Sequence, residues 1–210
     1  MNTYKTLLRF TNPNEEFNEF MRRPFLYELD GKNVAVATDG IVLCIAKDGC
    51  PNVGELTSTR KPNIERVIPP EKCDSLLSLK DVYEALAKVP MVHDNECPEC
   101  GGEGQVRYEY YCESDYTTDY KTFDCPYCSG RGLVEDSQAP LVYDTAYAVS
   151  INNQTFYPKS IKRLADILTG LELTYVPYCV NVAMHLMKIE TEQYIILLSG
   201  CIDNGKTIIL

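Results

Sequence analysis

The sequence lacks the features that mark a membrane-embedded or exported protein. No stretch approaches the roughly 18 consecutive apolar residues that a membrane-spanning helix requires. The opening residues, MNTYKTLLRF, contain no apolar core of the kind that secretory signal peptides carry. We therefore expect a cytoplasmic protein.

Residues suited to acid–base or nucleophilic catalysis are also scarce. The sequence has only two histidines, His93 and His185, and neither lies beside a recognisable acid–base partner. It contains no glycine-rich phosphate loop and no serine nucleophile elbow. His185 falls in the alternating run AMHLMKI, which predicts a half-exposed strand residue, and turn carboxylates such as Asp39 are explained by bonds to the local backbone. These absences favour a binding protein over an enzyme.

Positive charge is in short supply, and its distribution is uneven. The sequence has 20 Lys and Arg residues against 30 Asp and Glu, a net charge of −10. Residues 93–135 hold ten of the acids and only three cations, so this segment carries −7 and the remainder −3. Such a balance disfavours phosphate binding by residues 93–135 and leaves it open for the rest of the chain.

Four of the ten cysteines form a repeated motif. CPECGGEG at 97–104 and CPYCSGRG at 125–132 both read Cys-Pro-x-Cys-x-Gly-x-Gly. Each Cys-x-x-Cys turn presents two thiolates to one ion, while the following glycines allow positive φ angles that turn backbone N–H groups toward sulfur. The motif therefore predicts one structural Zn²⁺ in a closed tetrahedral site, with the ligands Cys97, Cys100, Cys125 and Cys128.

The cysteines also allow other interpretations. The four thiols could instead be redox or packing cysteines, but a thioredoxin-like use needs one pair at a strand-to-helix junction. Cys112 and His93 are alternate ligands that would break the symmetry of the two motifs, so a spectator role is favoured for both. The remaining cysteines are scattered singly and are interpreted as ordinary thiols, without a disulfide framework.

The two cysteine motifs resemble half of the cysteine-rich region of DnaJ-type chaperones, which carries four such repeats. The resemblance implies zinc chemistry alone, because this sequence has two repeats and no His-Pro-Asp motif. The segment is also rich in aromatic residues, namely Tyr108, Tyr110, Tyr111, Tyr116, Tyr120, Phe123 and Tyr127. Their acidic surroundings favour contact with a protein partner over stacking on nucleic acid. The other interpretation is that these rings only pack against a small zinc hairpin.

Periodicity and turn residues outside this segment predict an α+β fold with a mostly antiparallel sheet and about three helices. The predicted order is a strand near Thr6–Phe10, a helix after Asn12–Asn14, a three-strand meander over 25–45, a strand near 53–59, and a helix capped by Ser78. After the cysteine segment come a hairpin about Asn152–Asn153, a helix from Pro158, a pair of strands, and a hairpin at Asn204–Gly205.

Two stretches of this α+β part resemble the bacterial DNA polymerase sliding clamp family. Val36-Ala-Thr-Asp-Gly40 is similar to the family's Ala-Thr-Asp-Gly turn, although Ile41 and Val42 stand in place of its His-Arg. Pro62-Asn-Ile-Glu-Arg-Val-Ile-Pro69 is similar to its Phe-Pro-Asp-Tyr-x-Arg-Val-Ile-Pro linker. The resemblance implies curved antiparallel sheets with helices along one face and, on assembly of a homo-oligomer, a ring that encircles DNA.

The resemblance suggests where DNA would be contacted and how the chain is divided. Basic residues at the end of the first predicted helix and the start of the third are the candidates: Arg22, Arg23, Lys159, Lys162 and Arg163. The alternative interpretation is that these residues belong to ordinary solvated helix faces. We expect a clamp-like body of residues 1–92 and 136–210 and an inserted zinc module of residues 93–135. Two functions follow, a clamp-like DNA-associated scaffold whose zinc module contacts a protein, and a zinc-stabilised adaptor without DNA contact.

Overall fold

A computed structural model of the chain describes residues 2–15, 18–57, 62–101, 104–112, 117–135, 139–201 and 206–210. The chain forms two compact units. Residues 1–89 and 145–210 make up the first, here called the body, and residues 90–144 the second, here called the cysteine unit. Within the described ranges, no helix has the length and apolarity that crossing a membrane would take.

The described residues contain four α-helices and one 3₁₀ helix: α1 Thr3–Leu8, α2 Glu19–Arg22, α3 Leu79–Leu86, α4 Pro158–Gly170 and the 3₁₀ turn Glu65–Val67. In chain order the strands are β1 Phe25–Leu29, β2 Lys32–Thr38, β3 Val42–Ala46, β4 Ser75–Ser78, β5 Met91–Glu96, β6 Gln105–Cys112, β7 Thr117–Asp124, β8 Leu133–Glu135, β9 Leu141–Tyr143, β10 Tyr147–Ile151, β11 Gln154–Phe156, β12 Tyr175–Asn181, β13 Leu186–Glu190, β14 Tyr194–Ser199 and β15 Lys206–Ile209. The predicted α+β class with mostly antiparallel pairing is confirmed.

One seven-stranded antiparallel sheet organises the body, in the order β1-β2-β3-β14-β13-β12-β4. Its central pair, β3 with β14, joins the N-terminal meander to the C-terminal strands, with Cys44 opposite Ile196. A smaller sheet, β11-β10-β15, contains a parallel pair between β10 and β15. Apolar residues of β1, β2 and β3 form a buried cluster with the loop residues Leu56 and Ile64. The sheet therefore combines strands that precede the cysteine unit in the sequence with strands that follow it.

Local chemistry accounts for several element boundaries. Asp30 and Gly31 have φ angles of 50° and 73°, and Asn152 and Asn153 have 47° and 65°, which are the left-handed values that tight hairpin turns require. The Ser78 hydroxyl accepts a hydrogen bond from the backbone N–H of Asp81 at the start of α3. Pro158 occupies the first turn of α4, where no donor is lost. The meander, the Asn152–Asn153 hairpin and both helix starts are confirmed.

The turn between β2 and β3 is tied to helix α4. Asp39 Oδ1 accepts hydrogen bonds from the backbone N–H groups of Ile41, at 2.9 Å, and Val42, at 2.8 Å. Its other oxygen forms an ion pair with the guanidinium of Arg163 on α4. Arg163 Nη2 also donates to the carbonyl oxygen of Arg9, at 2.6 Å. The interpretation of Asp39 as a structural turn residue agrees with these bonds, which in addition connect three separate parts of the body.

The N-terminal part of the prediction was wrong in three places. Residues 6–10 form part of α1 and the turn after it, because Asn2 caps this helix through hydrogen bonds from Tyr4 N and Lys5 N, and Leu7 and Phe10 are buried one turn apart. Helix α2 begins at Glu19, since Asn12 instead accepts a bond from Asn14 N in a local turn. No strand lies among the described residues 53–57.

Between α4 and the predicted Asn204–Gly205 hairpin, the described residues form three strands, β12, β13 and β14, where two were predicted. A turn at residues 182–185 separates β12 from β13, and His185 is an exposed residue of this turn with a φ of 51°. The expectation that His185 lies in a strand was therefore wrong, because the alternating run continues through a left-handed turn that sequence alternation does not reveal. The predicted Asn204–Gly205 hairpin falls outside the described residues, and β15 after it pairs in parallel with β10.

The cysteine unit has two small sheets. Strand β5 lies between β8 and β9, and β6 pairs with β7 in an antiparallel hairpin from Gln105 opposite Asp124 to Cys112 opposite Thr117. Three buried cysteines make up its compact centre, with Val106 and Val134 packed against them. Among the described side chains of this unit the apolar core is small, and the cysteines themselves take the central position.

Candidate metal centre and binding surfaces

The strands of the cysteine unit bring the two Cys-x-x-Cys turns together. Cys97 directly follows β5, and Cys125 directly follows β7. The backbone of each turn is bonded to the other, since Cys97 N donates to Gly132 O at 2.9 Å and Cys125 N donates to Gly104 O at 2.7 Å. The two turns are therefore related by an approximate two-fold arrangement.

The four thiol groups form one compact cluster. The Sγ atoms of Cys97, Cys100, Cys125 and Cys128 all lie within 4.8 Å of one another. The Cys97–Cys125 and Cys100–Cys128 Sγ distances are 3.7 and 3.8 Å. Four thiolates in a regular tetrahedron around zinc, with Zn–S bonds of about 2.3 Å, have edges of about 3.8 Å. The donor set and spacing fit one tetrahedral soft metal ion.

Glycines shape the surroundings of the sulfur atoms. Gly104 N donates to Cys100 Sγ and Gly132 N donates to Cys128 Sγ, each at 3.2 Å. Both glycines have positive φ angles, 74° and 73°. A side chain at Gly104 would also collide with the carbonyl oxygen of Gly130. The glycines of the motif therefore serve to aim two donors at the cluster, which stabilises thiolate charge.

The four thiols differ in their exposure to solvent. Cys97, Cys125 and Cys128 are buried, and Cys100 is half-buried. Burial raises the pKa of the Cys100 thiol to about 11, although the hydrogen bond from Gly104 opposes the rise. A bound divalent cation acts in the opposite direction, because ligation requires the thiolate and releases the proton.

The alternate ligands are placed differently from the four cysteines. His93 Nδ1 lies 2.7 Å from the carbonyl oxygen of Ala139, so a backbone contact orients this ring. Among the side chains that the structure describes, the cluster that could hold a metal contains the four cysteines and does not include His93. The side chain of Cys112 lies outside the described ones.

The β6–β7 hairpin carries exposed aromatic rings. Tyr108 and Phe123 form an edge-to-face pair with centroids 5.9 Å apart, and the Arg107 guanidinium lies 3.8 Å from the Tyr120 ring centroid. About half of the surface of Tyr108, Tyr120 and Phe123 is exposed. Tyr127 is exposed as well, whereas the side chains of Tyr110, Tyr111 and Tyr116 are outside the described ones. The hairpin therefore exposes aromatic rings within an acidic segment.

Three of the five predicted DNA-contact residues are engaged with carboxylates of the body. Arg23 pairs with Glu19, Lys162 with Asp166, and Arg163 with Asp39. Burial opposes ionisation of Asp166, yet hydrogen bonds from Lys162 and Tyr83 bring its pKa below the usual range, so the pair stays charged.

The remaining two DNA-contact candidates, Arg22 and Lys159, are exposed cations without a described carboxylate partner. Arg22 ends α2, and Lys159 lies in the first turn of α4. Because their charges are not offset by a described partner, these two are the better placed to meet an external phosphate.

The body also holds an apolar groove that sequence reasoning missed. Its volume is about 450 Å³. The Thr38–Leu43 turn lines one part and Pro62, Ile64 and Val67 another, with Leu197 of β14 and Met184 nearby. None of the described lining residues is charged, and half of Ile41 is exposed. The stretches 36–40 and 62–69 both resemble the sliding clamp family and both line this groove, so their shared resemblance is the sequence signal that could have indicated it.

Comparison with solved structures bears on the fold. A DNA polymerase sliding clamp from Pseudomonas aeruginosa, crystallised with ligand, matches with a TM-score of 0.51 and 9% identity, covering 96% of this chain and 64% of the clamp. The clamp of Bartonella birtlesii bound to griselimycin matches with a TM-score of 0.49 and 13% identity, covering 94% of this chain and 63% of that one. The Pseudomonas match shows that the fold is clamp-like.

The sequence-based comparisons find no relatives. No protein family model matches the chain, and no curated protein matches it. The chain also spans somewhat less than two thirds of the length of the clamps that it matches in structure. The similarity therefore concerns the fold and not the activity or assembly of a whole clamp.

Proposed function

We propose that this chain is a non-catalytic binding protein of the cytoplasm, in which a clamp-like body associates with DNA and a structural zinc module contacts a protein partner. The four-thiol cluster is the observation that supports the proposal most strongly, because its donors and spacing suit zinc. Zinc would occupy a closed site there, held by Cys97, Cys100, Cys125 and Cys128. The ion would supply folding free energy to residues 93–135, and no substrate would reach it.

The exposed rings of the β6–β7 hairpin are the surface that we propose for the protein partner. The segment 93–135 carries −7, and four thiolates on one Zn²⁺ add a further −2. This negative charge repels phosphate. Aromatic rings surrounded by acidic residues suit a protein partner that offers basic and apolar side chains.

DNA association of the body rests on the clamp-like fold and on the exposed cations Arg22 and Lys159. The second candidate function, an adaptor without DNA contact, has an observation in its favour too. Carboxylates of the body neutralise Arg23, Lys162 and Arg163, which leaves fewer positive charges for phosphate.

Sizing by light scattering with and without DNA addresses the related proposal of a homo-oligomer, since a ring would be larger than one chain.

A protein partner can also dock in the groove of the body. Its lining is uncharged and opens to solvent at Ile41 and Val67, which are 50% and 38% exposed. Apolar side chains of a short extended peptide would bury this surface without leaving a charge unpaired. The groove lies where the two clamp-resembling stretches meet, which supports the same class of function.

The first prediction concerns the metal. Purified protein should contain one zinc per chain by elemental analysis, and Cys97→Ser should lose it and destabilise the cysteine unit, because zinc in such sites contributes on the order of 10 kcal/mol of apparent folding free energy. Cys50→Ser, which removes a buried thiol of the body, is the matched control and should keep the zinc. Zinc-free protein with Cys97→Ser as stable as the parent would refute the assignment.

The second prediction concerns DNA. A labelled duplex should bind in fluorescence anisotropy with affinity that falls steeply with salt, and Lys159→Ala should reduce the slope of log K against log salt by about one. Lys32→Ala, which removes an exposed cation next to the β1–β2 turn, should leave the slope unchanged. Absence of binding at low salt would discard DNA association and leave the adaptor function.

The third prediction concerns the groove. Selection from a phage-displayed random peptide library should enrich peptides with apolar or aromatic anchors, and Ile41→Glu should weaken their binding by roughly tenfold or more, because it places a charge in an apolar contact. Ile209→Glu, at an apolar residue of β15 that is 78% exposed, is the control and should bind as the parent does. Equal binding by both variants would show that the groove is not the docking site.

A further inference from the structure

Two thiols of the body that sequence reasoning treated as unrelated lie in contact. Cys73 precedes β4 and Cys179 lies on β12, and their Sγ atoms are 3.7 Å apart although 106 positions separate them in the chain. Both residues are half-buried, so small reagents can reach them. Strands β4 and β12 are paired from Ser75 opposite Tyr178, which keeps the two cysteines beside the same end of the ladder.

The segment that carries Cys73 is fastened to the sheet on either side of the thiol pair. The ammonium of Lys188, a buried residue of β13, donates to the carbonyl oxygens of Pro69, at 3.0 Å, and Glu71. Asn181 Nδ2 donates to Glu71 Oε1 at 2.6 Å. The Cys73 thiol itself lies 3.5 Å from Lys188 O. The Cys179 thiol likewise lies 3.6 Å from Glu71 O, so contacts of the surrounding backbone and of the two thiols themselves hold the sulfur atoms near each other.

We propose that Cys73 and Cys179 form a reversible disulfide, with a peroxide as the oxidant. One thiol loses its proton and its sulfur attacks a peroxide oxygen, so that the O–O bond breaks and a sulfenic acid and one water form. The second thiol then attacks the sulfenic sulfur, the S–S bond forms and a second water leaves. Two thiols are oxidised by two electrons and one peroxide is reduced to two waters.

The surroundings of the two thiols slow their oxidation but favour a disulfide between these two residues over other products. Burial, together with the neighbouring Cys179 thiol, raises the pKa of Cys73 to about 12, while the Lys188 ammonium opposes the rise and Glu190 adds to it. Cys73 is consequently a thiol at neutral pH and is a weak target for general oxidation. Proximity to one partner thiol then favours the intramolecular product. The disulfide would link segment 69–74 covalently to strand β12. This segment follows in sequence the groove-lining residues 62–67.

The test uses the full, zinc-loaded chain. After exposure to hydrogen peroxide, free thiols are blocked with N-ethylmaleimide in acid, the protein is digested without reductant, and linked peptides are identified by mass spectrometry. A linked pair of peptides containing Cys73 and Cys179, lighter by two hydrogens than the sum of the reduced peptides, is expected, together with unchanged zinc content. Dithiothreitol should restore both thiols.

Variants separate this outcome from adventitious oxidation. Cys73→Ser and Cys179→Ser should each abolish the linked product, whereas Cys50→Ser should leave its yield unchanged. Incubation with oxidised glutathione provides a second route, in which the intramolecular disulfide should exceed glutathione adducts at either residue by roughly tenfold or more, because one partner is held in place. Recovery of both residues as blocked free thiols, as separate glutathione adducts, or linked to the zinc-site cysteines would overturn the proposal.

Discussion

The body depends on one long-range interaction, the antiparallel pairing of β3 with β14. Val42–Ala46 and residues 194–198 form the centre of the seven-stranded sheet, although the whole cysteine unit lies between them in sequence. This pairing places the Asp39–Gly40 turn beside Ser199 and Leu197, and the groove is built at that junction. The Asp39–Arg163 ion pair then fixes helix α4 to the same turn. Fold and candidate binding surface thus share one set of contacts.

The cysteine unit follows a different physical rule. Among the described side chains, its apolar centre consists of the thiols and a few residues such as Val106 and Val134, which bury too little surface to offset the entropy of ordering the chain. Paired strands and glycines with positive φ instead bring four sulfur atoms to distances that suit a tetrahedral ion. A bound metal would supply free energy where a hydrophobic core does not, and the unit could then remain acidic and expose aromatic rings to solvent.

Sequence reasoning succeeded where structure follows from neighbouring residues. The Ser78 cap, the Asp30–Gly31 turn and the glycine-tailed cysteine turns are each determined within a few positions, and the structure confirms their geometry. A short apolar run such as residues 6–10 was misjudged because it suits either a strand or a buried helix face, and the cap at Asn2 decides between them. The β3–β14 register, the partners of Arg163 and the Cys73–Cys179 contact join residues more than a hundred positions apart, which no spacing encodes.

We propose that metal ligation by the four cysteines organises residues 93–135, whereas the body folds independently of the metal. Amide hydrogen exchange, measured by mass spectrometry before and after removal of zinc with a chelator, tests this claim most directly. We predict that protection falls throughout residues 91–135, while strands β3, β13 and β14 of the body keep theirs. Unchanged protection in the cysteine unit after the metal has been removed, or equal loss of protection in both units, would contradict the account.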